Sequence, residues 1–146
     1  MKVEIKIDPA CIEPRAVIYT AGMTDEISIV AEKLSETSPQ ILTGIRDGKV
    51  EVIDSQNLVR AYACSGKVFL ATDQGEYVCR LRLYELEKRL DPARFVRISN
   101  SEIINLAKVQ NFDLSFTGTI CVEFIDGTTT YVSRRYVAKI RHLLGM

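Results

Sequence analysis

No stretch of this 146-residue chain approaches the roughly 20 consecutive apolar residues that a membrane-spanning helix requires. A bilayer-crossing helix and a secretory signal are excluded on that reading, and the expected location is the cytoplasm. Close cysteine pairs are missing too. Cys11, Cys64, Cys79 and Cys121 lie far apart, a spacing that builds neither a zinc site nor a redox dithiol, so they are expected as small, mostly buried hydrophobes in a reducing compartment. His142 is the only histidine, with no cysteine or serine partner nearby in sequence, and reads as a surface residue and not a general base. Gly66, Gly75, Gly118 and Gly127 are isolated hairpin glycines, so no phosphate-cradling loop is present. Asp25-Glu26 belongs to a helix start, and no internal repeat or low-complexity segment is visible. The expectation is therefore no enzyme, no catalytic or metal site, no cofactor and no small-molecule substrate.

An excess of basic charge is the last absence. Nineteen basic and nineteen acidic residues give a net charge of zero, which weighs against nucleic acid, because neutralising phosphates rewards basic surfaces. The distribution is less even. Residues 1–40 carry 4 basic and 7 acidic side chains, and residues 41–146 carry 15 and 12. After Asp126 come Arg134, Arg135, Lys139 and Arg141 with no acidic residue among them. A solvated helix face, with cations favoured near its C-terminus, is the plain alternative for that cluster.

What the chain does have is an ordinary globular composition, 47% hydrophobic and 26% charged. Val3, Ile5 and Ile7 alternate as in a strand, and Ala16 to Tyr19 suggest a second. Thr24 then caps a helix with Ile27, Val30, Ala31 and Leu34 on one face. Ser35 to Pro39 reads as a linker, so residues 1–40 are expected to form a small β/α module. From Ile41 the hydrophobic period becomes two. Strands are expected at Ile41 to Ile45, Lys49 to Ile53, Leu58 to Cys64, Val68 to Thr72 and Glu76 to Leu81, with Asp47-Gly48 and Ser65-Gly66-Lys67 at turns. A helix at Leu83 to Leu90 ends at Asp91-Pro92, Phe95 to Ile98 is extended, and Ser101 to Ile104 suggests a short helical turn. A closing hairpin pairs Ile120 to Phe124 with Thr128 to Val132 across Asp126-Gly127, and Ser133 caps a terminal helix with Tyr136, Val137, Ile140, Leu143 and Leu144 as its apolar stripe. Residues 41–146 thus read as a mainly β domain with peripheral helices.

Two blocks stand out, Phe95-Val96-Arg97-Ile98-Ser99-Asn100-Ser101-Glu102-Ile103-Ile104-Asn105-Leu106 and Asp126-Gly127 with Tyr131-Val132-Ser133-Arg134-Arg135-Tyr136. Both resemble the LytTR family of bacterial transcription regulators. The first is similar to the family's Phe-x-Arg signature with its polar loop, serine, apolar pair and asparagine, and the second to its closing hairpin and serine-arginine entry into the last helix. The resemblance spans about residue 41 to the C-terminus. It implies an antiparallel β-sheet DNA-binding domain preceded by the small N-terminal unit, double-stranded promoter DNA as partner, direct repeats as targets, and loops entering successive major grooves. It also implies a stand-alone member without a receiver domain. A homodimer, with residues 1–40 as its dimerisation or regulatory module, and a small membrane-protein inhibitor are the further partners it suggests. Ser99 stands where the family often has histidine, and Glu102 where it often has an aromatic residue.

On that resemblance, side chains offering two hydrogen-bonding atoms in a fixed plane are the base readers. Asn100 and Arg135 are the leading candidates. Arg97 is the weaker one, since it could brace the loop. Lys67, Ser101, Ser133, Lys139 and the start of the last helix are expected to contact phosphates and fix register. Arg134 and Arg135 splay about 100 degrees apart on a helix, so at least one should face DNA. Asn105 reads as a turn former, and Tyr131 and Tyr136 as core. The competing function class is a β-rich interaction adaptor whose basic C-terminus binds an acidic partner.

Overall fold

The computed structural model describes residues 1–35 and 41–146, so most of the linker expected at 35–39 lies outside the described residues. The chain divides into two units, Met1–Pro39 and Gln40–Met146. In the first, helix α1 runs from Asp25 to Ser35. Its cap is the expected one: Thr24 Oγ1 accepts from Ile27 N–H at 3.3 Å, and Asp25 and Glu26 lie in the first turn, where a helix favours negative charge. The two strands expected before it are a correction. Among the described residues no strand precedes Leu42, and Val3, Ile5 and Ile7 are 80, 85 and 92% exposed. Alternation supplies one apolar face, but a strand also needs a neighbour to satisfy its backbone, and this unit provides none.

The second unit holds ten strands. β1 (Leu42–Arg46), β2 (Lys49–Ile53), β3 (Leu58–Cys64), β4 (Lys67–Thr72), β5 (Gly75–Cys79), β6 (Phe95–Ser99) and β7 (Glu102–Asn105) form one antiparallel sheet in the order β2-β1-β5-β4-β3-β7-β6. β8 (Val109–Asp113), β9 (Ile120–Phe124) and β10 (Thr129–Val132) form a second, ordered β10-β9-β8. Helix α2 (Leu83–Arg89) lies between β5 and β6, and α3 (Arg134–Leu143) follows β10.

Successive residues of the central strands feed two different cores. Leu58, Phe95 and Ile103 join Leu70, Tyr77 and Leu86 in the core beneath α2, whereas Val59, Val96 and Ile104 join Val122, Phe124 and Ile140 in the core beneath the second sheet and α3. Both faces of β7 are therefore covered, and all four of its residues are buried. That explains a second correction. Ser101 to Ile104 is not a helical turn; an Ile-Ile pair sandwiched between two cores loses the alternation that marks a half-exposed strand. β8 has no counterpart among the expected strands, since Val-Gln-Asn-Phe-Asp shows little periodicity at the edge of a three-stranded sheet.

One buried polar network ties the layers together. Glu102 on β7 receives a guanidinium hydrogen bond from Arg60 on β3 at 3.1 Å and a hydroxyl hydrogen bond from Thr130 on β10 at 2.9 Å. Asn105 is fully buried, donating to Leu58 O at 2.7 Å and accepting from Ala107 N–H at 3.0 Å. The cysteine expectation holds only in part: Cys79 and Cys121 are buried, while Cys11 and Cys64 are exposed near turns.

Candidate nucleic-acid interface

The turn from β6 to β7, Ser99 to Glu102, is held by its own side chains. Ser99 Oγ accepts from Ser101 N–H at 3.1 Å and lies 3.3 Å from Ser101 Oγ. Arg97 reaches across the same turn, donating from Nε to Ser99 O at 2.7 Å and from Nη2 to Asn100 O, while Nη1 pairs with Glu87 of α2 at 3.0 Å. Its guanidinium is thus engaged on three sides, and the side chain is only 16% exposed. Arg97 braces the loop. Asn100 is left at the exposed tip, and Ser101 beside it is also exposed.

The start of α3 packs against this loop. Ser133, the N-cap, donates its backbone N–H to Ile98 O at 3.0 Å, and its side chain makes no capping bond to the helix. Three residues on, Tyr136 donates its hydroxyl to Asn100 Oδ1 at 3.3 Å. Tyr136 is half-buried, with its ring on the second core and its polar end in the loop, so the expectation of a purely core tyrosine is revised. Lys139, one turn further along, places its ammonium 5.8 Å from the Tyr136 ring centre, within cation–π range. The two sequence blocks, 95–106 and 131–136, therefore meet in space at Ile98–Ser133 and Asn100–Tyr136.

Lys67 comes to the same end of the large sheet. Ala63 N–H donates to Ser101 O at 2.8 Å, next to the β3–β4 hairpin in which Cys64 pairs with Lys67. Ser65 and Gly66 have φ of 52° and 77°, left-handed values that fit a tight two-residue turn and hold Lys67 at the tip. Arg80 is a residue that sequence reasoning missed. It follows Cys79, the register partner of Val68, and so stands one step beyond that pair beside Lys67. The signal was present as Arg80 and Arg82 alternating with Leu81 just after a strand.

Arg134 and Arg135 are exposed on the first turn of α3, Arg134 next to Gly118 of the loop between β8 and β9. The sequence left open whether one of them pairs with a carboxylate. Among the described residues neither does, and neither do Lys67 and Lys139, whereas Arg46, Arg60, Arg97 and Lys108 are all ion-paired. Among the described residues, Lys67, Arg134, Arg135 and Lys139 near this sheet end and helix start have no ion pair, as is also true of Lys49, Arg89 and Arg94 elsewhere in the fold. At the far end of the β9–β10 hairpin, Asp126 accepts from the Thr128 hydroxyl at 2.6 Å and its N–H at 2.9 Å, which holds the carboxyl below its ordinary range.

Comparison with known proteins bears on the family and the fold. Residues 48–145 match the model of the LytTr DNA-binding domain family. Relatives from Staphylococcus aureus strains MSSA476 and NCTC 8325, each named as an uncharacterized HTH-type transcriptional regulator, are 29% identical over 147 aligned residues, covering 100% of this chain and 99% of theirs. A solved LytTr DNA-binding domain from Bacillus cereus superposes with a TM-score of 0.71 at 19% identity, covering 75% of this chain and 100% of that one. Although those relatives carry a helix-turn-helix name, α2 and α3 here are separated by five strands and form no helix-turn-helix pair.

Proposed function

The chain belongs to the LytTR DNA-binding domain family, and from that premise we propose that it is a promoter-binding regulator that reads direct repeats with the β6–β7 turn and the start of α3. The single observation that carries this reading is the junction of Asn100 with Tyr136 beside the Ser133 cap. It supports one composite surface built from a loop and a helix start, flanked by unpaired cations. In this reading Asn100 reads a base edge, and Arg135 a second one. Lys67, Arg80, Ser101, Arg134, Lys139 and the α3 N-terminus hold phosphates, where free backbone N–H groups and the helix dipole favour an anion. Arg97 is reassigned from contact to positioning, because each of its three nitrogens already donates, two to the loop it shapes and one to Glu87. Separate reading and positioning groups suit a surface that enters successive major grooves from one face.

Two copies on a direct repeat, joined through residues 1–40, complete the proposal, with a small membrane protein as the restraint the family resemblance suggests. The test is a titration of the full chain against its own upstream region and against a scrambled duplex at several salt concentrations. The expected result is a clear preference for the upstream region and an affinity that falls steeply with salt. Equal affinity for both duplexes at moderate salt would reject the reading and favour the adaptor class.

A further inference from the structure

The N-terminal segment ahead of α1 carries a row of exposed apolar side chains. Large exposed apolar surfaces of this kind mark interaction sites, and Val17 and Tyr19, at 61 and 94% exposed, add to Val3, Ile5 and Ile7. The row has a defined end: Asp8 turns the chain by accepting from Cys11 N–H and, through Oδ1, from Ala10 N–H, both at 3.0 Å. Lys6 Nζ lies 3.9 Å from Glu4 Oε1, so these two share one side, as alternate residues of a strand do; in an extended strand Val3, Ile5 and Ile7 would fall on the other.

We infer that residues 2–8 pair antiparallel with the same residues of a second copy of this chain, across a two-fold axis at Ile5. The register follows from the sequence Lys2-Val3-Glu4-Ile5-Lys6-Ile7-Asp8. With Ile5 opposite Ile5, Val3 faces Ile7, Glu4 faces Lys6 and Lys2 faces Asp8, so each apolar side chain meets an apolar one and each charge meets its opposite. No neighbouring register does this. Shifting the axis to Glu4 opposes Glu4 to itself and Lys2 to Lys6; shifting it to Lys6 opposes Lys6 to itself and Glu4 to Asp8. An intermediate shift sets the apolar face against the charged one. A parallel in-register pairing stacks like on like throughout. Self-complementarity is what a two-fold interface demands, since the same patch serves both partners. A two-stranded ribbon is marginal alone, so its apolar face also needs cover, which the exposed Val17, Tyr19 and Ile29 can supply.

This inference rests on the proposal that the chain acts as two copies, and its test separates the two. Sedimentation equilibrium is run on the full chain, on Glu4→Lys, on Lys6→Glu, and on an equimolar mixture of those variants. Each reversal turns two attractive cross-strand pairs into repulsive ones, so each variant alone should self-associate about tenfold or more weakly. The mixture should regain the unmodified affinity. Position 4 of each chain then faces an opposite charge at position 6 of the other. In a chain carrying Cys11→Ser and Cys64→Ser, Ile5→Cys should form a covalent dimer on oxidation and Val3→Cys should not, since only position 5 meets itself. A chain that is monomeric throughout, reversals without effect, or a mixture no tighter than its components would overturn the pairing. A monomeric chain that still prefers its own upstream region would do so while leaving the DNA reading intact.

Discussion

At the scale of single residues, charged side chains divide into those paired within the fold and those with no ion pair among the described residues. Arg97 is the clearest of the first kind. Its three hydrogen bonds go to the loop backbone and to Glu87, so Arg97→Ala should loosen the turn before any DNA is present. Hydrogen exchange on the free protein is the check, with faster exchange expected at Ser101 and Glu102; unchanged exchange together with lost DNA affinity would return Arg97 to the readers. Glu102 is of the same kind. It is the shared acceptor of Arg60 and Thr130, and Glu102→Ala should lower stability by about 2 kcal/mol by leaving the half-buried Arg60 guanidinium without its carboxylate. Denaturant unfolding measures it, and a loss below about 0.5 kcal/mol would place the network among ordinary surface pairs. Asp126 adds a pH dependence. Its folded carboxyl titrates lower than in the unfolded chain, so its contribution is present above the unfolded value of about 4 and is lost as pH falls through the folded one. Asp126→Ala should therefore cost more stability at about pH 6 than at about pH 3, and an equal cost at both would remove the carboxylate from the explanation.

At the scale of elements, legibility in the sequence depends on how many faces a segment covers. β1, β2, β4, β5, α2, the β9–β10 hairpin and α3 are legible because each keeps one apolar and one polar face, or ends in a residue pair such as Asp47-Gly48 that only a tight turn favours, while β3 and β6 feed both cores and are legible through strand-forming residues such as Tyr62, Phe95 and Val96. β7 is not, because it is covered on both sides, and β8 is not, because an edge strand of mixed polarity carries no periodic signal. The same limit applies to the interface. Asn100, Ser133 and Arg135 stand out by residue type and by family resemblance, but the Tyr136 hydroxyl on Asn100 depends on α3 docking against β6, which spacing does not reveal. The Ser65-Gly66 turn supplies an element-scale prediction. With φ of 77° at Gly66, Gly66→Val should destabilise the β3–β4 hairpin by about 1 to 2 kcal/mol and weaken duplex binding by displacing Lys67. Unfolding and anisotropy titrations check the two effects, and a variant of unchanged stability would contradict the left-handed turn.

At the scale of the whole molecule, a net charge of zero says little about DNA, because the sum hides a division of labour. Acidic residues prevail in 1–40 and basic ones in 41–146, and among the described residues of the second unit Lys67, Arg134, Arg135 and Lys139, near one sheet end and the start of α3, carry no ion pair. The proposed function requires this surface to divide reading from holding, with Asn100 discriminating bases and Lys67 anchoring the backbone. The most direct measurement is the ratio of affinities for the preferred upstream duplex and a scrambled one, taken for the unmodified chain, Asn100→Ala and Lys67→Ala. Asn100→Ala should shrink the ratio by roughly 1 to 3 kcal/mol with little loss on the scrambled duplex, whereas Lys67→Ala should weaken both duplexes alike and reduce the salt slope by about one. Equal, sequence-independent losses in both variants would contradict that division.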